Sequence, residues 1–497
     1  MSVSNSSYFH SVNWRTRIVA VPTILFSLGL IPTYSMAAGT LQDASEALGV
    51  AKIQSIAFTG TGRWYQFGQA PNTKSPWPPF DVSSYDATIN YGQPAARVQI
   101  TRKQVVEAGR VRPAPVEQKP DQYVSGNAAW NLAAAPGAAT PTVQPQPAQL
   151  EERITEIWTT PQGFLKAAAA NNATSQAHNG GTKLTFTAGK NRYVGIINVK
   201  NQVERVQTWI DNPVLGDTEI DYTYSNYKDF NGVLFPAHIV RKQGGYPVLD
   251  LNIASVTPNA AAHIDVPAEA SASNAQSILV TSEELAPGVY YLKGGTHHSV
   301  LIDQKDHLVI VEAPLNEARS EAVIAKAKEL VPNKPIRYLV NTHHHFDHSG
   351  GLRTFVDEGA TIVTQQANKP YYEKIWAAKH TINPDRLAKS NKSAKFAAFS
   401  DKHVLTDGQR NIEIHTIKDS GHNDAFALIY LPAEKILIEA DAYTPLPAGA
   451  PVPASINPYS VNLYDNIKRL KLNVDKIAAL HGPNVVTLAD LEGFIGK

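Results

Sequence analysis

Four side chains able to bind a metal stand within six positions at His343-x-His345-x-Asp347-His348, inside the segment NTHHHFDHSGG. The chain contains no cysteine, so thiolate ligands, disulfides and iron-sulfur clusters are excluded and any metal must be held by imidazoles and carboxylates. His343 and His345 lie two apart, so at the end of an extended segment their rings project to the same side, while Asp347 and His348 follow on a turn and reach a second point. The spacing therefore supplies two sites. His344, between the first two, points away from them and is expected to pack or to lie at the surface. Two divalent ions about 3.5–4 Å apart lower the pKa of a bridging water from roughly 16 toward neutrality, so the chemistry implied is hydrolysis by a metal-bridging hydroxide. Its target would be a carbonyl, phosphoryl or sulfuryl centre polarised by one ion, with the other stabilising the leaving group. Zinc is the first choice for such donors, two ions per chain, with iron, manganese or cobalt as alternatives.

The elements that must present these groups can be read around them. The apolar strand 336–340 runs directly into the motif, and Gly350 and Gly351 permit a tight turn into a helix over 352–358. Strand-like runs at 289–292, 299–302 and 307–311 precede a helical pattern of Val323, Ile324, Ala327, Leu330 and Val331. Strands and helices alternate, so this region is α/β in character. It also holds 12 of the 16 histidines, all from His297 onward.

At these residues the C-terminal part, roughly 288–497, resembles the metallo-β-lactamase superfamily, whose motif is H-x-H-x-D-H at a strand end. DSGHNDAF with His422, ILIEADAY with Asp441 and AALHGP with His481 follow in the family's order, although Ala440 stands where the family usually has Gly. The resemblance implies an αββα sandwich in which His343, His345 and His422 hold one metal, Asp347, His348 and His481 hold the second, and Asp441 bridges both. Asp347 is in addition the candidate catalytic group, orienting the nucleophile or shuttling a proton. The family's cysteine-dependent β-lactamase classes are excluded here. Its cysteine-free class typically lacks the bridging Asp, so Asp441 places the chain nearer the glyoxalase, lactonase, phosphodiesterase and sulfatase relatives, with true β-lactamase activity a minority outcome.

Upstream the pattern is that of an antiparallel sheet with one wet face: Ile220, Tyr222 and Tyr224 alternate with Glu219, Asp221 and Thr223, and similar runs occur at 183–187, 192–199 and 234–241. With a short opening helix at 41–48, this half resembles the sheet of lipoprotein-carrier-like domains. No charge occurs from 122 to 150, and the Ala, Pro and Gln-rich stretch 131–149 reads as a flexible loop. An Ala and Ser-rich stretch near 260–277 marks the next boundary. The expected organisation is a signal peptide at 1–37, a β-rich (α+β) accessory domain at 38–265 and a hydrolase domain at 278–497.

Arg15 and Arg17 before the apolar run 18–31, then Ser35-Met36-Ala37-Ala38, form a secretory signal, shorter than a spanning helix and interrupted by Pro22 and Gly29. Cleavage leaves a periplasmic or secreted protein with no later membrane span. A formal charge of +1 over 497 residues provides no basic field for nucleic acid, so the partner is a small-molecule substrate. Its selection is expected from 365–403 and 443–464. In the first, Tyr371, Tyr372, Ile375 and Trp376 form a helical stripe that packs on the domain or walls a lid; in the second, Asn457 and Tyr459 are candidates to face substrate. Rival classes are iron-dependent oxygen or persulfide chemistry on the same ligand frame, and a lipid carrier whose metal site is structural.

Overall fold

The computed structural model describes residues 40–134, 140–272, 278–447, 449–450 and 455–497, so the signal segment expected at 1–37 lies outside the described residues. Among these, fourteen strands between Ser55 and Pro258 form one antiparallel sheet. Its first strand, Ser55–Tyr65, pairs with Pro79–Asn90 on one side and with Tyr246–Pro258 on the other, so the first and last strands of this half lie together. The register shifts beside Gly60 and Gly62, where an added Cβ would stand 2.7 and 2.0 Å from the backbone oxygens of Asn252 and Asp250; only glycine lets the strands close at that bulge.

Alternation decides which face is dry. Along Gly216–Phe230, Ile220, Tyr222 and Tyr224 are buried, while Asp221 on the other face takes a bidentate pair from Arg205 at 2.7 and 3.1 Å. The helices Leu41–Ala47, Leu150–Thr159 and Pro161–Ala170 add Leu48, Ile157, Phe164 and Leu165 to the same core. The stretch expected as a flexible loop at 131–149 is different. It contains the end of the strand Ala128–Ala133, the edge strand Thr142–Pro145 paired to it, and a 3-10 turn at Pro147–Gln149, with 135–139 outside the described residues. Lack of charge there reflects an edge hairpin held by backbone pairing and by Trp130, which is buried and stacks on Tyr123 at 5.3 Å.

From Thr281 onward two further sheets lie face to face, flanked by helices. The seven-stranded sheet runs in chain order from Thr281–Ala286 to Lys395–Phe399, its first three pairings antiparallel and its last three parallel. The six-stranded sheet also runs in chain order, from Lys402–Thr406 to Val486–Thr487, with Ile436–Glu439 and Lys476–Ala479 parallel and its other pairings antiparallel. Consecutive residues serve opposite layers: Val309 and Val311 join Ile429 and Ile438 between the sheets, while Leu308 and Ile310 pack under the helices Glu317–Leu330 and Leu352–Glu358. Leu428 and Leu437 meet the helices Pro458–Leu470 and Leu488–Phe494 on the far side. Strands buried on both faces read as continuous apolar runs, and LVIV at 308–311 is one. The protein is thus strand-rich α/β, with a β-rich N-terminal region before an αββα sandwich. No helix among the described residues is long and apolar enough to cross a membrane.

Candidate metal centre

The strand Ile336–Val340 lies parallel between Leu308–Val311 and Thr361–Gln365, so its carboxyl end delivers Asn341, Thr342 and His343 into a fully buried position. A single helical turn, Phe346–Ser349, then carries Asp347 and His348. Gly350 and Gly351 act by close approach rather than by unusual backbone angles: a Cβ at either would come within 1.9 Å of Leu315 O or Ser320 Oγ respectively. The other three groups leave the neighbouring sheet at corresponding places. His422 precedes Ala427–Leu431, Asp441 follows Ile436–Glu439 and His481 follows Lys476–Ala479, three strands adjacent in that order.

All seven expected site residues are brought together. The ligand atoms of His343, His345, His422 and Asp441 lie within 4.8 Å of one another, as do those of Asp347, His348 and Asp441. His481 stands in the same relation to Asp347. Asp441 touches both groups: its Oδ2 is 3.5 Å from His343 Nε2, 3.2 Å from His422 Nε2 and 3.0 Å from His348 Nε2. His343 and His422 are 3.3 Å apart at Nε2, and His348 Nε2 is 3.7 Å from Asp347 Oδ2. Two donors each about 2.0–2.1 Å from one tetrahedral ion are about 3.3–3.4 Å apart, so these spacings suit shared cations.

The hydrogen bonds around the rings select which nitrogen faces inward. His345 Nε2 donates to Ala70 O at 2.9 Å, and Glu312 Oε2 accepts from His348 Nδ1 at 3.1 Å. That leaves His345 Nδ1 buried without a hydrogen-bond partner and turns His348 Nε2 toward Asp441 Oδ2. A buried polar atom so orphaned costs about 1–3 kcal/mol, which coordination to a cation would offset. The donor set therefore fits a metal. His344 has the other fate expected for it: it is buried, receives Asn423 Nδ2 at Nδ1 over 3.1 Å and packs against Tyr371.

Burial, with the neighbouring His348 charge, pushes His343 down to about 3, and burial alone is the main reason His344 falls to about 4 and His345 far below an ordinary imidazole. Burial opposes a charge on His348 too, but Asp441 and Asp347 outweigh it and its pKa rises. Burial likewise works against the carboxylates Asp347 and Asp441, yet His348 holds both well below the usual range. Burial lifts Glu439 to about 8; its Oε2 accepts the backbone N–H groups of Ala442 and Tyr443, bracing the turn that presents Asp441.

Several contributors carry no signal of their own in the sequence. Glu312, buried at the end of Leu308–Val311, binds Asn341, Thr342 and His348. His297 Nε2 stands 3.3 Å from Asp347 Oδ2, and only its place at the head of the histidine-rich half could have pointed to it. From the first sheet, the 66–78 connection supplies Ala70 O to His345 and Gln69 Nε2, which donates to Asp347 Oδ1 at 2.8 Å. Gly68 fits there because a Cβ would lie 2.5 Å from the Phe346 ring. Tyr371, Tyr372, Ile375 and Trp376 belong to the core under the seven-stranded sheet or pack against it. Asn457 caps Pro458–Leu470 through Tyr459 N, while the Tyr459 ring lies 5.3 Å from His422.

Residues 292–471 match the model of the metallo-beta-lactamase superfamily. Among solved structures, a metallo-beta-lactamase from Pontibacter korlensis is 17% identical over 44% of this chain and 98% of its own, with a TM-score of 0.33. A metallo-beta-lactamase from Hirschia baltica is 18% identical over 44% and 96%, with a TM-score of 0.32. FIM-1 from Pseudomonas aeruginosa, in its mono-zinc form, has the same identity, coverage and score. No curated protein matches the chain. The C-terminal region is a metallo-β-lactamase-fold domain, and that fold points to a metal-dependent hydrolase.

Proposed function

We propose that this chain, whose residues 292–471 carry the metallo-β-lactamase superfamily match, is an exported dinuclear hydrolase that cleaves an ester, lactone, amide, phosphate or sulfate bond in a small molecule, with zinc as the first-choice metal. The observation that carries this reading is the convergence of seven imidazole and carboxylate groups from four separate segments, with the buried nitrogen His345 Nδ1 left unpartnered. His343, His345 and His422 hold one cation in this reading, Asp347, His348 and His481 the other, and Asp441 is shared. Cations bound there supply Lewis acidity and a water acidic enough to lose a proton near neutral pH.

The chain's own groups do the rest. Gln69 ties Asp347 Oδ1 and leaves Oδ2 facing the cluster. A carboxylate held so far below its usual pKa serves as an anionic ligand and as an acceptor that orients a proton. Phe67 and Phe346, edge to face at 5.1 Å, line part of the cavity beside Asp347 and keep water from that wall. A cavity of about 1020 Å³ extends from Phe346 and Asp347 to Arg241 and Tyr85 of the first sheet; of the seven groups, Asp347 lines it.

The test is metal quantification on purified protein together with turnover across an ester, lactone, amide, phosphate and sulfate panel, repeated on His345→Ala. About two ions per chain and a loss of at least about 100-fold in turnover are expected on removal of that ligand. Full turnover by His345→Ala would overturn the mechanism.

A further inference from the structure

We infer that His297 is a fifth protein donor to the second cation position, beside Asp347, His348, His481 and the shared Asp441; the inference rests on the dinuclear reading above. The ligand atoms of His297, Asp347 and His481 all lie within 4.8 Å of one another, and His297 Nε2 is 3.3 Å from Asp347 Oδ2. That second distance lies in the span of two donors each about 2.1 Å from one ion, about 3.0 Å at right angles and about 3.6 Å at 120°. A hydrogen bond would account for the His297–Asp347 pair alone. It would not account for His481, whose ring centroid is 4.3 Å from that of His297, nor for His348 at 5.2 Å.

The backbone is arranged to hold the ring there. His297 and His481 form an antiparallel bridge, so two histidines from different sheets are fixed side by side. The His297 carbonyl accepts from Arg319 Nη2 at 3.2 Å, and Arg319 reaches it beneath Gly294, where a Cβ would come within 1.8 Å of the guanidinium. His297 Nδ1 is 2.8 Å from Thr296 Oγ1, which leaves Nε2 as the nitrogen facing Asp347. A ligand imidazole engaged at its other nitrogen is the arrangement by which proteins orient metal-binding histidines.

With His297 included, the second position has three imidazoles, its own carboxylate and the shared one, against three imidazoles and the shared carboxylate at the first. Five protein donors suit an ion that accepts five or six ligands, such as manganese, iron or zinc in an expanded shell, better than one confined to four. The two positions should therefore differ in the metal they prefer.

The experiment titrates metal-free full-length protein with cobalt(II), following visible absorption, and with zinc, following ions bound per chain. The variants are His297→Gln, whose amide can still donate to Asp347 but is a poor ligand, and His297→Ala, with far-UV circular dichroism as the folding control. The expected result is two binding steps in the unaltered protein. In both variants the first step is retained and the second weakens by more than about 100-fold, beyond the 10–100-fold typical of losing an outer-shell partner. Two intact steps and an unaltered cobalt spectrum in His297→Gln would show that His297 only donates a hydrogen bond, and would overturn the assignment while leaving the dinuclear reading in place. An unaltered protein that binds no ion, or a single ion that His297→Gln keeps, would overturn the assignment as well; the first of these would also remove the reading beneath it.

Discussion

Asp441 has φ +61°, in the left-handed region that a non-glycine residue adopts only when its surroundings require it. Ala440, where the resembling family has Gly, is therefore not the residue that makes this turn; Glu439 and the left-handed Asp441 make it together. The histidines beside it carry a pH signature. His343, His344 and His345 all have pKa values depressed by burial, from an ordinary value of 6.5. Folding that lowers an imidazole pKa contributes stability above the unfolded value, and that contribution is lost as pH falls below about 6.5, at about 1.4 kcal/mol per pH unit for each group. His348 has the opposite sign: its raised pKa adds stability that is complete below about 6.5 and lost as pH rises through the folded value, so it adds no slope in acid and acts only above about 6.5. Metal-free protein is expected to lose stability steadily as pH falls from about 6.5 to about 4.5, through the three depressed histidines. Denaturant melts at pH 6.5 and 5.5 check this, and equal midpoints would contradict it. The donor types and their two-residue spacing were legible before any coordinates, because an extended segment sends i and i+2 to one side. Which nitrogen of each ring faces inward was not, since that depends on Ala70, Glu312 and Thr342.

The connection at 66–78 is the element whose role the chain order hides. It joins two strands of the first sheet, yet its peptide groups bond both the turn Phe346–Ser349 and the loop that bears His422: Phe346 N donates to Gly68 O at 3.3 Å and Asp424 N to Pro71 O at 2.8 Å. Gln69 and Asp347 are separated by 278 positions, so no local periodicity could have joined them. Gln69→Ala is expected to lower kcat by about 10–100-fold, the usual cost of an outer-shell partner, while leaving ions per chain and thermal midpoint nearly unaltered. A variant with unaltered kcat would mean that the contact does not orient Asp347. By contrast, the strand 336–340 and the helix 352–358 stand where the apolar pattern and the double glycine place them, as Ile336–Val340 and Leu352–Glu358. Local pattern suffices for such elements because one buried layer on each side dictates their residue types. It failed over 131–149, where an edge strand pairs through its backbone and needs no apolar face.

Ala38–Lys497 is a single compact unit, and the first sheet is therefore part of the same body as the cluster of histidines and aspartates. A second connection from that sheet reinforces the first: Arg110 Nη2 binds Asp424 Oδ1 at 2.8 Å, and Gly421 leaves room for Val111 O, which a Cβ would approach to 1.7 Å. Both contacts clasp the loop that bears His422. The whole chain is proposed to leave the cytoplasm, on the arginines and the apolar run 18–31 alone. Protein recovered from the periplasm or medium should have lost about 37 residues by intact mass; retention of the full mass in the cytoplasm would contradict export. Composition and motif were enough to specify the donor chemistry, the exclusion of thiolate sites and the alternation of strands and helices, because each depends on residue type or on neighbours a few positions away, whereas the αββα sandwich was implied by the family resemblance. The tertiary structure alone decided that His297 meets His481, that Gln69 meets Asp347 and that a chamber opens between the first sheet and the C-terminal domain. Those contacts join residues more than a hundred positions apart, or strands of different sheets, and only packing sets distances between groups that the backbone does not connect locally.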